Sequence, residues 1–289
     1  MTELTKTQVM ATNTMNLYLP LWTQNFRENY WTVINSPDIL KLPPIQGPAL
    51  CVGAGPSLSK QLQRIRRFKG TIFACEKSLV PLLKRGVIPH YLVILDGTKK
   101  LLPYLSDPIV DEYADRITAI CATTANAALI KRWTGKTVFF NAWLDDPQGE
   151  KSVSLIFHTL SGKAVLQTGG HVGAAMWFLA LQLGADPIVL LGIDMAYPAS
   201  LPDLSKTQIW DAIRHLSREE ILSFYRRETN SFGKQVITDY MWDGLLETWI
   251  TWIAAARAKT IQCSELSILH APPIECMPFE HYLTTQNEV

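Results

Sequence analysis

From residue 48 onward the chain alternates between short apolar runs and stretches with helical spacing. The runs at 49–53, 71–74, 91–95, 117–122, 137–141, 188–192 and 260–263 are rich in Val, Ile, Leu, Cys and aromatic residues. They are too short for helices, so each reads as a buried strand. Between them, 58–68, 79–85 and 173–183 read as helices, and Gly70, Gly86 and Gly184 follow where helices stop. Strands that are apolar throughout and alternate with helices predict an α/β fold. Its sheet is doubly wound, mostly parallel and Rossmann-like, with helices on both faces.

Two segments depart from this alternation. Tyr18, Trp22, Phe26 and Tyr30 recur every four residues, the spacing of one helical face. Residues 1–46 are therefore expected to form a helical arm, docked on the main domain or on a partner subunit in a homo-oligomer, with Pro20 disturbing its first turns. Pro43, Pro44 and Pro48 mark the boundary to an α/β domain at 47–289. Residues 198–240 are polar and charged, with a predicted helical centre at 205–227, and are expected to form an insertion or lid over the site. Arg214 and Arg218, one helical turn apart, and Arg226 and Arg227 are candidates to reach down to a phosphate. Their competing role is a solvated face paired with Glu219, Glu220 and Glu228.

In a doubly wound sheet the loops at the carboxyl ends of the strands gather around one crevice. Gly53-Ala54-Gly55-Pro56-Ser57 leaves the first strand there. Its glycines permit close approach of a ligand, Pro56 suits the first position of a helix, and the amides of Ser57 and Leu58 are expected to be free for an anionic oxygen. Glu76 stands where dinucleotide sites place an acid for ribose hydroxyls. Asp96 and Asp194 also end apolar runs, and are candidates for catalysis or for holding Mg²⁺ on a polyphosphate. Thr123, Thr124, Ala125, Asn126 and Asn141 complete the rim. A second glycine-rich helix entry, Gly169-Gly170-His171, offers another anion-accepting turn, with His171 as the candidate for proton transfer. No Gly-x-Ser-x-Gly elbow is present, which disfavours a serine hydrolase.

Charge and composition narrow the partners. Lys and Arg total 27 against 26 Asp and Glu, a net charge of +1, which excludes the footprint of a general nucleic-acid binder. Cys51, Cys75, Cys121, Cys263 and Cys276 show no Cys-x-x-Cys pair and read as reduced thiols of a reducing compartment. The apolar stretch 172–197 is broken by Gln182, Gly184, Asp186 and Pro187, so no membrane span is expected. Residues 1–6 lack the pattern of a secretory signal, and a cytoplasmic location is expected.

Several of these segments occur together in order: 52–58, then Leu83-Lys84-Arg85-Gly86-Val87-Ile88-Pro89-His90 leading to Asp96, then 169–172, then Leu191-Gly192-Ile193-Asp194-Met195-Ala196-Tyr197. As a set they resemble the 6-hydroxymethylpterin diphosphokinase (MptE-like) domain, which is also the core of motility accessory factors similar to sialyltransferases. The resemblance covers roughly residues 25–285. It implies a transferase holding a nucleotide at Gly53–Ser57, with Asp96 and Asp194 near the phosphates or the acceptor. The expected activity is glycosyl transfer from a CMP-activated nonulosonic sugar. The alternatives are an ATP- and Mg²⁺-dependent diphosphokinase acting on a pterin-like acceptor, and a non-catalytic nucleotide- or glycan-binding module. Family members often carry an Asn-Ala-Thr-Glu-Gly-Gly-like segment near the end; here 262–267 keeps an acid, Glu265, and lacks the glycines.

Overall fold

The computed structural model describes residues 6–145, 152–200 and 203–286. Strands β1 (Ala49–Val52), β2 (Thr71–Cys75), β3 (Tyr91–Ile94), β4 (Thr118–Ala122), β5 (Lys136–Ala142), β6 (Val165–Leu166) and β7 (Ile188–Leu191) follow in turn. Three further strands come next, β8 (Tyr197–Pro198), β9 (Tyr225–Thr229) and β10 (Gln235–Asp239), and then β11 (Thr260–Gln262) and β12 (Glu275–Cys276). Nine strands form one sheet in the order β12-β11-β7-β1-β2-β3-β4-β5-β6, and every ladder in it is parallel. The other three form a small antiparallel sheet, β8-β10-β9.

The first helices are α1 (Lys6–Asn35), α2 (Glu76–Leu83), α3 (Pro108–Tyr113), α4 (Ala127–Arg132) and α5 (Val153–Ser161). They are followed by α6 (Val172–Gln182), α7 (Trp210–Ile213), α8 (Arg218–Ser223), α9 (Tyr240–Ala255) and α10 (Phe279–Thr285). Alternate residues of each strand face opposite layers. Thus Ala49 and Cys51 join the large core with Trp177 and Leu179 of α6, while Leu50 and Val52 join a second core with Ile65, Phe68 and Phe279. The fold is the doubly wound, Rossmann-like α/β arrangement that the apolar runs predict.

Two expected elements differ. Residues 58–68 form 3₁₀ turns, Leu58–Lys60 and Arg64–Arg67, with bonds such as Gln61 N to Leu58 O at 2.8 Å and Arg64 N to Gln61 O at 2.9 Å. Leu58, Ile65 and Phe68 are still buried, so the apolar spacing serves a turn chain as well as it would serve a helix. The expected helix at 205–227 is also broken. Arg214 ends α7, Arg218 begins α8, and Arg226 and Arg227 lie on β9. Arg226 pairs with Glu228 and, at 2.7 Å, with Asp243. All four arginines are exposed.

Helix α1 docks across the carboxyl ends of β3 and β4; the first five positions of the expected arm lie outside the described residues. Phe26 is buried and stacks on Phe157 of α5 at 4.7 Å. Its polar anchors are two buried asparagines one turn apart. Asn25 Nδ2 donates to Gly97 O (2.8 Å) and Thr124 O (3.0 Å), and Asn29 Nδ2 donates to Thr123 O (3.2 Å) and Ala125 O (2.7 Å). Loop carbonyls that a sheet cannot pair are thereby satisfied. Asn29→Ala strands two carbonyls and should lower stability by about 2 kcal/mol. The check is a lower urea midpoint together with faster hydrogen exchange in 123–126.

Candidate functional site

The strand order reverses between β1 and β7, so the loops after these two strands flank the crevice where doubly wound sheets bind ligands. The first of them, Gly53–Ser57, corrects the leading expectation. Gly53 N donates to Leu191 O (2.8 Å), Gly55 N to Gly192 O (2.7 Å) and Leu58 N to Gly55 O (3.1 Å). Ser57 N donates to Asp194 Oδ2 at 2.9 Å. The turn does receive an anionic oxygen, but it is the chain's own carboxylate. Because 3₁₀ turns follow, no α-helix dipole faces this loop either. Ser57 and Leu58 therefore have no amides left for a phosphate, while the amide of exposed Ala54, beside Pro56, keeps no partner among the described residues.

This packing explains the glycines. A Cβ on Gly53 would meet Ile193 Cγ1 at 2.8 Å and Gly192 O more closely still, and one on Gly55 would meet Gly192 O at 2.8 Å and run into Asp194 Oδ2. Asp194 is 2% exposed, and its Oδ1 has no partner. Burial pushes its carboxyl up to about 6. The next residue, Met195, is held at φ +53°, a conformation disfavoured for a side chain with a Cβ.

A buried brace fixes this loop. Ile193 N donates to Ser264 Oγ (2.9 Å), Ile268 N to Asp194 O (3.1 Å) and Gln262 Nε2 to Ser267 Oγ (3.0 Å). The segment that lacks the family's glycines is thus a scaffold for Asp194. Its acid, Glu265, turns away to Gln61 and Lys234.

The second glycine-rich turn keeps part of its amides: Gly169 N donates to Gln167 Oε1 (3.4 Å) and His171 N to Thr168 O (3.2 Å), while others are open. Gly169 (φ +56°) and Gly170 (φ +76°) lead into α6, where His171 is the N-cap and its Nδ1 accepts from Ala174 N at 3.3 Å. The amides of Gly170, Val172 and Gly173 have no partner among the described residues. Together with the dipole of an 11-residue helix they form an anion-accepting end. It adjoins the Asp194 loop, since a Cβ on Gly173 would meet Ile193 Cγ2 at 3.1 Å. His171 is corrected as a proton acceptor. Burial holds its ring well below the ordinary value, at about 4, so it is neutral at pH 7. With Nδ1 taken by the Ala174 amide, the proton sits on Nε2, which has no partner. The residue is set to donate a hydrogen bond there, and burial disfavours its taking up a proton.

Glu76 begins α2 at the end of β2 and is 2% exposed, with Oε1 unpartnered. Burial, followed by the charge of Asp96, pushes its carboxyl up from 4.5 to about 8. Asp96 Oδ1 accepts from Thr98 N at 2.6 Å. No group of three or more His, Cys, Asp or Glu placed to hold a metal ion occurs among the described residues. An ion held by Asp96 and Asp194 would need its remaining ligands from substrate. Thr123, Thr124 and Asn126 lie beneath α1, and Asn141 is buried in bonds to Thr123, Ser161 and Lys163. These rim residues are structural.

The raised Glu76 value fixes a pH response. Below pH 4.5 the carboxyl is protonated whether folded or unfolded. Between 4.5 and about 8 only the folded chain holds the proton, so stability falls as pH rises through this window. Glu76→Gln should therefore stabilise the protein by about 2–3 kcal/mol at pH 7 and by almost nothing at pH 4. Urea midpoints of the two proteins at both pH values check this.

Residues 22–200 match the family described as 6-hydroxymethylpterin diphosphokinase MptE-like. The chain belongs to the MptE-like family. Both glycine turns and Asp194 lie inside the matched stretch of this MptE-like chain, whereas α9 and the 262–268 brace lie beyond it. No curated protein matches the chain. Among solved structures it resembles a MAf glycosyltransferase from Magnetospirillum magneticum AMB-1, with a TM-score of 0.60 and 17% identity over 92% of this chain. The MptE-like chain spans 41% of that protein, and at this identity the likeness is one of fold. No helix among the described residues is long and apolar enough to cross a membrane.

Proposed function

We propose that the chain is a nucleotide-dependent transferase that moves a sugar from a CMP-activated donor, a nonulosonic sugar, to a hydroxyl acceptor. The observation that carries this reading is the pairing of three unpartnered amides at the start of α6 with a neighbouring carboxylate, Asp194, whose Oδ1 is free. The phosphate of the donor sits on the amides of Gly170, Val172 and Gly173, with the His171 Nε2–H as a further donor. Glu76, protonated at neutral pH, can both donate to and accept from the ribose hydroxyls. Asp194, held by the Ser57 amide, takes the proton of the acceptor hydroxyl as its oxygen bonds to the anomeric carbon. The bond from that carbon to the phosphate oxygen breaks, and CMP leaves with the electron pair. The dipole and fixed amides stabilise the leaving charge without reorganising.

Charge favours this chemistry over the diphosphokinase. Glu76 and Asp96, close enough for one charge to act on the other, and Asp194 all follow strands at the same edge of the sheet, and the nearby Lys77 lies over the Tyr104 ring. A single phosphate can be met by amides, but a triphosphate would need metal ions bound largely through its own oxygens. Thermal unfolding with CMP, CDP, ADP and ATP, each with and without Mg²⁺, tests the reading. CMP and CDP without metal should raise the midpoint by several degrees at saturating concentration. Stabilisation by ATP only with Mg²⁺ would assign the kinase, and no response to any nucleotide would leave a non-catalytic module.

A further inference from the structure

Positive charge is spread unevenly along the chain. Residues 60–69 hold five cations, Lys60, Arg64, Arg66, Arg67 and Lys69, and no acid. The fold brings the end of α2 beside this run, since a Cβ on Gly86 would lie 3.9 Å from the Arg66 guanidinium carbon. Lys60, Arg64, Arg67 and Arg85 line one open cleft of about 410 Å³, and Glu280 of α10 is the acid among them. The cleft belongs to the layer of Ile65, Phe68 and Phe279, on the face of the sheet away from α6. The transfer step uses none of these groups.

Two of the guanidiniums are held in place. Glu280 spans them, its Oε2 accepting from Arg64 Nε (2.9 Å) and its Oε1 from Arg67 Nη1 (2.5 Å). Arg64 Nη1 also donates to Lys60 O (2.7 Å), and α10 is pinned to the same run where Lys69 N donates to Gln286 Oε1 (3.2 Å). The side chains of Lys60 and Arg85 make no hydrogen bond or ion pair among the described residues. One carboxylate offsets only one of the four cations, so the cleft keeps a positive potential that draws anions. A monophosphate carries about two negative charges at neutral pH, fewer than this lining can meet. Two linked phosphates offer more charge and enough oxygens to meet guanidinium forks from the run and from the end of α2 at once. A nucleic-acid duplex or a membrane needs a broad basic face, whereas the chain as a whole has a net charge of +1. We propose that this cleft binds a compact anion bearing a diphosphate, with Arg67 and Arg85 as forks, Lys60 as a point charge and Glu280 as the brace of Arg64 and Arg67. The site stands independently of the transferase reading.

The test follows the arginine ¹⁵Nε–¹Hε signals of the full chain at low ionic strength during titration with inorganic pyrophosphate and, separately, inorganic phosphate. Pyrophosphate should shift Arg67 and Arg85 and bind about tenfold more tightly than phosphate. Arg85→Gln should weaken pyrophosphate about tenfold, and Lys60→Gln should weaken it about threefold. Neither side chain bonds within the protein, so both variants should keep the urea midpoint of wild type. Silence toward pyrophosphate, equal binding of the two anions, or an affinity unchanged in both variants overturns the proposal. Cosedimentation with phosphatidylglycerol vesicles without a response to free pyrophosphate also overturns it, and makes this face a membrane contact. The readout is local, which separates the cleft from the crevice. Arginine shifts with pyrophosphate, while Gly170, Val172 and Gly173 stay silent toward CMP, keep this site and remove the transferase reading; the converse pattern does the reverse.

Discussion

Asp194→Asn is expected to lower the turnover of sugar transfer by about 10²–10⁴-fold, the range of a lost general base. The substitution keeps an oxygen to accept from the Ser57 amide and removes only the ability to take a proton. The fold should not suffer, because the native carboxyl is a buried charge whose ionisation burial already opposes. From pH 3.8 to about 6 the folded chain holds a proton that the unfolded chain has lost, so wild-type stability falls as pH rises through this interval. Asparagine removes that slope. The expected pair of results is CMP release reduced to near background and a urea midpoint at pH 7 equal to or above that of wild type. A variant that keeps its rate would remove Asp194 from the chemistry, and one that unfolds would make its role structural.

The largest expected effect on stability is that of Gly53→Ala, a loss of about 3 kcal/mol or more. The residue donates to Leu191 O at 2.8 Å at the join of the two central strands, and the new methyl would be driven into the Gly192 carbonyl and Ile193 Cγ1. Neither neighbour is the free end of a flexible side chain, so β1 and β7 would have to separate. Overpacking of a rigid interior costs about 1–3 kcal/mol and more where backbone must move. Gly162→Ala is the control. Gly162 sits at φ +67°, and a methyl added there would have nothing within 4 Å, so only the backbone term of about 1 kcal/mol applies. Urea midpoints for the two variants should differ by about that margin, and equal losses would contradict the close approach of β1 and β7.

The parallel sheet was legible because buried strands in such a sheet are apolar on both faces, as Leu50–Val52 and Ile188–Leu191 are. The candidate carboxylates were legible because each ends such a run. Two kinds of information were not local. Leu58, Leu62, Ile65 and Phe68 have helical spacing, but buried Gln61 is anchored to Glu265, 204 residues away, and the segment folds as turns. The bond that fills the first glycine turn joins residues 137 positions apart, so the sequence could show that Ser57 suits an anion but not that Asp194 is the anion. Other signals were present and not used. Val236-Ile237-Thr238-Asp239 is an apolar run ending in an acid, the same pattern that singled out Asp96 and Asp194. Asn25 and Asn29 stand at helical spacing within the aromatic stripe, where a polar residue on a docking face implies buried partners.

The central claim is that the amides at the start of α6, and not those of Ser57 and Leu58, receive the nucleotide phosphate. It is tested most directly by following the backbone amide signals of the full chain during a titration with CMP. The largest shifts should fall on Gly170, Val172 and Gly173, with Ser57 still held by Asp194. Shifts centred on Ser57 and Leu58, or none at either turn, would contradict it.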